Sequence, residues 1–172
     1  MQLRKGKTKT LLESSIDCAL LSVEIYNKPR APFRVESFIT HMIMSWTRLL
    51  QAHFNHTIGE TFFYKEANGR FKIIEGEKKA WELKTCIQKY GLLSEGVKSN
   101  LEFFIKLRNK IEHRTISKDE IGLMIFGECQ SLLYNVLTPI KQEYYSKFRL
   151  LFMRLIFSLK LDVYLGSISL LG

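Results

Sequence analysis

One eight-residue segment combines residue types that can act on a phosphate without a metal ion. It runs Leu107-Arg108-Asn109-Lys110-Ile111-Glu112-His113-Arg114. An arginine stays charged throughout a reaction and presents a planar fork of N–H donors that fits a phosphate. A histidine exchanges a proton near neutral pH. Arg108 and His113 therefore make general acid–base chemistry at a phosphodiester the first hypothesis for this chain.

Arg108 falls inside the apolar stripe of the helix that contains it, about 20° from Leu101 at ~100° per residue. The stripe consists of Val97, Leu101, Phe104 and Ile111. Burying an arginine is costly unless the charge is paired. Two interpretations follow: Arg108 pairs with Glu112 at i+4, or it lines a cleft that is open to an anionic ligand.

The spacing of the motif is weak information by itself, because Arg48 and His53 repeat it. Leucines follow Arg48, which is typical of a core helix. A polar amide follows Arg108, and this second match lies at a predicted helix end. The Arg108 motif is therefore the preferred candidate.

Helix geometry limits what the two side chains can do together. Residues five apart point about 140° away from each other and lie ~7.5 Å apart along the axis. Arg108 and His113 therefore line two sides of a groove, with Asn109 and Glu112 between them, and do not grip one phosphate oxygen together. A symmetric dimer would bring two arginines and two histidines around one phosphodiester.

The motif resembles that of the HEPN superfamily, in which four to six residues, the first of them polar, separate an arginine from a histidine. These all-α domains include many metal-independent ribonucleases. Further residues are similar to a bacterial HEPN-like family of uncharacterised proteins: Glu24-Ile25-Tyr26-Asn27-Lys28-Pro29, Arg34, Glu36, Phe38, Trp46 and Leu49-Leu50. The resemblance covers about residues 10–137 and fails from about Lys147.

The resemblance implies a homodimer that cleaves RNA without a cofactor, as a toxin or defence effector with an antitoxin or regulatory partner. His113 would be the general base or acid at the ribose 2′-OH and the leaving oxygen, and Arg108 would stabilise the phosphorane charge. Asn109 would orient the phosphate or the histidine. Some members bind without cutting, so a non-catalytic RNA-binding or dimerisation module is the alternative.

Other polar residues have two interpretations each. Glu112 and five residues of the first two helices are candidates to face the cleft: Glu24, Tyr26, Asn27, Arg34 and Glu36. The five could equally make polar contacts between helices one and two. His113 and Arg114 also fit a helix cap, because cations at a helix C-terminus stabilise its dipole. In that case the motif would be structural.

The elements that must position these residues are mostly helices, which predicts a mainly α fold. We expect a HEPN-like bundle of about five helices, with a short β-hairpin insertion between helices 2 and 3. Asn68-Gly69 predicts a type I′ turn for that hairpin. Helices 1 and 5 are predicted to begin at capping boxes at Thr10 and Ser117, and helices 2, 3 and 4 after Pro32, near Glu77 and near Val97. Helices 1 to 4 are predicted to end near Asn27, Gly59, Tyr90 and Arg114, in that order. Residues 1–146 form the predicted domain, and 147–172 form an apolar and basic segment without a structural prediction.

Composition excludes several classes of protein. With 172 residues, 46% of them hydrophobic, the chain fits one folded domain and not a disordered one. Glycine-rich phosphate loops, clustered metal ligands and an apolar run of transmembrane length do not occur. The basic N-terminus lacks the apolar region of a secretory signal, so we expect a cytoplasmic protein whose three cysteines are reduced. The net charge of +9 lies mostly at the two ends of the chain and is weak support for RNA binding.

Overall fold

Four α-helices contain most of the residues that the computed structural model describes, which are 6–28 and 33–113. They are α1 (Lys7–Asn27), α2 (Arg34–Ile58), α3 (Leu83–Tyr90) and α4 (Glu95–His113). Two short antiparallel strands, β1 (Ile73–Ile74) and β2 (Glu77–Lys78), lie between α2 and α3. The prediction of a mainly α fold with a β-hairpin between helices 2 and 3 is confirmed.

The long helices α1 and α2 form an antiparallel pair. Asn55 Nδ2 donates to Thr8 Oγ1 at 2.6 Å at one end of the pair, and the rings of Tyr26 and Phe38 lie 5.2 Å apart at the other. The apolar face of α2 repeats every three or four residues, as a helix that buries one side requires. Its fully or nearly buried members are Phe38, Ile39, Met42, Ile43, Trp46, Leu50 and Phe54. This stripe is the centre of the core.

Helix α4 runs back along α2. It begins shortly after Tyr90, whose ring lies 4.8 Å from that of His53 near the end of α2. Leu101 and Phe104 are fully buried in the same core. Further along, Arg108 lies beside the middle of α2. The last turn of α4 is therefore directed toward the half of α2 that begins at Arg34.

The β insertion contains two turns. The type I′ turn that is predicted at Asn68-Gly69 occurs instead between β1 and β2. At Asn68-Gly69 only Gly69 has a positive φ, 80°, and its N–H donates to the Glu66 carbonyl at 2.9 Å. This is a three-residue loop that needs a single left-handed residue, so the type predicted there is wrong. The turn between β1 and β2 has positive φ at both Glu75 (50°) and Gly76 (84°), as type I′ demands.

Two predicted helix starts are also wrong. Helix α1 begins at Lys7, so Thr10 lies inside it, where its hydroxyl contacts the Gly6 carbonyl at 3.4 Å. Helix α3 begins at Leu83 and not near Glu77, because Glu77 and Lys78 pair with β1. The predicted limits of α2 and the predicted start of α4 are confirmed to within two residues. The predicted end of α4 near Arg114 lies at the limit of the described residues and stays a prediction. The fifth helix and the 146/147 boundary lie outside the described residues.

Candidate functional site

Arg108 lines a cavity between α2, α3 and α4. It is half-buried and shares the inward stripe of α4 with Leu101 and Phe104, as the sequence predicts. The cavity has a volume of about 480 Å³. Its lining residues are Ile43, Met44, Thr47, Arg48 and Gln51 of α2, Glu82, Leu83 and Lys84 at the start of α3, and Ile105 and Arg108 of α4. This position agrees with the interpretation in which Arg108 lines a cleft, and the pair with Glu112 involves a side chain outside the described residues.

The lining of this cavity is electrostatically positive. Arg48, Lys84 and Arg108 are cationic, and Glu82 is the acidic member of the lining. The Glu82 carboxylate accepts a hydrogen bond from Lys79 Nζ at 2.6 Å. This bond, together with the negative charge of Glu82, raises the pKa of Lys79. Lys79 is therefore a counter-ion for Glu82, and the described lining contains three cations and one carboxylate.

Arg48 is the functional candidate that sequence reasoning discounted. Its Nη1 donates to Cys18 Sγ at 2.8 Å, with a longer contact of 3.5 Å to the Ser14 carbonyl, so α1 holds the guanidinium from one side. Neither acceptor is a carboxylate. The other residue of that repeated motif, His53, packs its ring against Phe54 and Tyr90. Of this second arginine–histidine pair, Arg48 lines the cavity, whereas His53 packs in an aromatic cluster.

The rest of the preferred motif occupies the final turn of α4. Asn109 is exposed, immediately after Arg108. Glu112 and His113 are the last two described residues of α4, and their side chains lie outside what the structure describes. The predicted acid–base role of His113 and the predicted Arg108–Glu112 pair therefore stay predictions.

The second group of candidates lies near the connection between α1 and α2. Its described side chains, Glu24, Tyr26 and Glu36, do not line the cavity, and the side chains of Asn27 and Arg34 lie outside what the structure describes. Glu24 is exposed and forms an ion pair with Lys28 at 3.6 Å, and Tyr26 packs on Phe38. Asn27 is the last residue of α1, Arg34 is the first of α2, and Glu36 lies in the first turn of α2. Glu36 precedes Ile43, the first cavity residue of α2, by about two helical turns, or ~10 Å. Tyr26 joins helices one and two through an aromatic contact, and the polar contacts expected between these helices stay a prediction.

The aromatic residues of the insertion belong to the core. Phe62 and Phe63 are 2% and 7% exposed, and the ammonium of Lys7 lies 4.8 Å from the Phe63 ring centroid. Lys78 lies 4.7 Å from the centroid of Phe71. Phe62 and Phe63 are therefore members of the core, and Phe71 packs against it.

Neither a metal centre nor a membrane span is found in the described ranges, 6–28 and 33–113. No group of three or more potential ligands there could hold a metal ion. No helix there combines the length and the apolar character needed to cross a bilayer.

The thiol of Cys86 is expected to be unreactive in the folded protein. Burial raises its pKa from 9.0 to about 12, which lowers the thiolate fraction at pH 8 by about a thousandfold. Mass spectrometry after brief iodoacetamide treatment should find Cys86 modified only in denaturant; equal labelling of native and denatured protein would contradict its burial. Because the fold favours the protonated thiol, its contribution to stability is complete below about pH 9 and is lost as the pH rises toward 12.

The fold and this site define a mainly helical protein with a basic cavity enclosed by three of its helices. Residues 10–166 match the family DUF3644, which is described as a domain of unknown function. The match extends over most of the chain, and the protein belongs to this family. No curated protein and no solved structure matches it.

Proposed function

We propose that this protein is a metal-independent endoribonuclease of the HEPN type. The observation that supports the proposal is the position of Arg108, which lines a cavity together with the cations Arg48 and Lys84. RNA offers a phosphodiester at every nucleotide, and arginine is the residue best suited to a phosphate that gains charge in a transition state. His113 follows on the same helix.

The proposed reaction is an internal transesterification. The ribose 2′-oxygen attacks the adjacent phosphorus and gives its proton to a histidine, while the bond to the 5′-oxygen breaks. Arg108 stabilises the charge that develops on the non-bridging oxygens of the phosphorane. The leaving 5′-oxygen takes a proton from a protonated histidine, and the products end in a 2′,3′-cyclic phosphate and a 5′-hydroxyl.

The proposed active form is a homodimer in the cytoplasm. Arg108 and His113 point about 140° apart on one helix, so a second copy of the α4 end would complete the set of donors and acid–base groups around one phosphate. Asn109, exposed beside Arg108, would orient the phosphate or the histidine. A toxin or defence effector of this type would act with an antitoxin or regulatory partner that controls it.

A second candidate function is RNA binding without cleavage. It is favoured by the residues that line the cavity, which supply cations and amides but include no histidine among the described side chains. On this alternative Arg108 would hold RNA, and His113 would cap α4. The two functions differ in whether wild-type protein changes the length of an RNA.

The test uses two labelled RNA strands of one sequence, the second with 2′-deoxyribose at the cleavage position of the first. Both are incubated with the full chain in EDTA. We expect the first strand to be cut to 2′,3′-cyclic phosphate ends, and the second to resist, because it lacks the nucleophile. Light scattering on the same sample should give the mass of a dimer.

Other outcomes overturn the mechanism. Activity that disappears in EDTA and returns with Mg²⁺ would require a metal-assisted reaction. Equal cutting of the deoxy strand would show that the 2′-OH does not attack. Binding of RNA with no cleavage would favour the second candidate, and a monomer with full activity would contradict the homodimer.

A further inference from the structure

The cavity beside Arg108 is larger than a single phosphate requires, and its lining is of two kinds. A volume of about 480 Å³ is within the ~300–1,000 Å³ typical of small-molecule sites. Cations line part of it, whereas other parts are apolar. The apolar lining consists of Ile43, Met44, Leu83 and Ile105. A ligand that fits has an anionic group and a flat or apolar group attached to it.

We propose that this cavity is a nucleotide-binding subsite that holds one unit of single-stranded RNA. Arg48 and Lys84 bind the phosphate, the base lies against the apolar lining, and Gln51 hydrogen-bonds to the base. The subsite deepens the proposed ribonuclease function and rests on it, since Arg108 would link this nucleotide to the scissile phosphate. Single-stranded RNA is recognised in this way, by bases turned out of a stack into a pocket.

Contacts with α1 hold the Arg48 guanidinium in place in the absence of a ligand. Both of its contacts use Nη1, which donates to Cys18 Sγ and to the Ser14 carbonyl. Within the described residues, Nη2 and Nε therefore keep their N–H groups for an incoming ligand. A guanidinium that is already held in place loses less side-chain entropy when it binds a phosphate. This contact pattern favours ligand binding over a purely structural ion pair.

Gln51 is also oriented in advance. Its Nε2 donates to the Trp81 carbonyl at 2.8 Å, which assigns the amide nitrogen to that side. The amide oxygen is then the group of Gln51 that can accept a hydrogen bond from a ligand. Nucleobases present N–H donors on their Watson–Crick edges, which a carbonyl oxygen can accept. Gln51 therefore contributes an acceptor to a cavity whose charged groups are mostly donors.

Lys84 is the second cation of the subsite, and its substitution is the variant that should disturb the fold least. It is exposed in the first turn of α3, so Lys84→Gln removes a charge without opening the core. Lys89→Gln is the matched control, because Lys89 is exposed on the same helix and lies over the Trp81 ring, outside the cavity lining. Arg48→Gln is the stronger variant, and its thermal melting curve will show whether it folds.

The experiment measures binding without cleavage. A fluorescent 2′-O-methyl hexanucleotide, which has no free 2′-OH, is titrated with the full chain at several salt concentrations, and its anisotropy is followed. We expect Arg48→Gln to weaken binding by about tenfold and Lys84→Gln by roughly threefold, with its salt slope reduced by about 0.7 as one phosphate contact is lost. Lys89→Gln should bind like wild type. Equal affinities and slopes for Lys84→Gln and Lys89→Gln would overturn the subsite.

Calorimetry with cytidine 5′-monophosphate, adenosine 5′-monophosphate and inorganic phosphate identifies the source of the phosphate. Mononucleotide binding that depends on Lys84 supports a site that also takes free nucleotides, whereas binding of the hexanucleotide alone supports a strand subsite. Inorganic phosphate that binds as tightly as the nucleotides would overturn the role given to the base. RNA cleavage in EDTA with unchanged binding by Arg48→Gln and Lys84→Gln would overturn only this inference. Lys84-dependent binding without cleavage would overturn only the ribonuclease.

Discussion

RNA cleavage by the His113→Ala variant is expected to fall about 10²–10⁴-fold below wild type, because removing one acid–base group typically costs this much. Binding of an uncleavable 2′-O-methyl RNA should stay largely unchanged. The cations that line the cavity lie on α2, α3 and the preceding turns of α4, and none of them is removed. The measurement is the initial rate on labelled RNA beside the dissociation constant for the uncleavable strand.

His56→Ala is the matched control for this variant. His56 is an exposed histidine in the last turn of α2, so its loss should leave the cleavage rate unchanged. If His113→Ala cuts RNA as fast as His56→Ala does, the histidine is not the acid–base group and serves as a helix cap.

Arg108→Lys separates charge from geometry in the same assay. Lysine keeps the positive charge but offers a point charge in place of the planar fork, so we expect most of the rate to be lost. Normal rates for both His113→Ala and Arg108→Lys would leave the motif with a structural role.

The sequence predicts the two helices that contain most of the candidate residues, because their apolar periodicity is long and regular. Leu101 and Phe104 on α4 are predicted to face inward and are buried, and Trp46 and Leu50 on α2 are buried at helical spacing as well. The position of Arg108 inside that same stripe is likewise visible in the sequence. The apolar periodicity of the two helices is therefore predicted correctly, whereas the turn type predicted at Asn68-Gly69 and the helix start predicted at Thr10 are wrong.

The other cations of the cavity could not be found from local patterns. Arg48, Lys84 and Arg108 lie on three helices, and their proximity depends on how these helices pack. The only local sign at Arg48 is a charged residue between buried positions on α2, and the leucines that follow it favour a structural interpretation. Lys84 is one of several surface lysines until the start of α3 is known.

The β insertion determines where α3 begins. The Trp81 N–H donates to the Phe62 carbonyl at 3.0 Å, and the Trp81 carbonyl accepts from Gln51 of α2. These two bonds fix the chain beside α2 just before α3 begins at Leu83. The insertion thereby positions Lys84 at the cavity. The prediction that helix 3 begins near Glu77 does not reveal this position of Lys84, because it assigns the second strand of the hairpin to the helix.

The second prediction with a large expected effect is a loss of folding stability when a buried side chain of α4 is truncated. Phe104→Ala should lower the free energy of unfolding by about 3–5 kcal/mol, which is the usual cost of truncating a fully buried phenylalanine. Phe104 has no exposed surface and lies one helical turn before Arg108. Since a domain of this size is stable by only about 5–15 kcal/mol, the variant should melt far below wild type in a thermal denaturation followed by circular dichroism.

Phe103→Ala is the control, because Phe103 is the preceding residue on the same helix and is 36% exposed. Its loss should cost about 1 kcal/mol or less, in line with substitutions away from buried contacts. The two variants remove the same atoms from adjacent positions, so the difference between them measures the burial of one helix face. Equal destabilisation would mean that α4 does not pack on α2 through Phe104. The inward position of Arg108, which shares that face of α4, would then lose its structural basis.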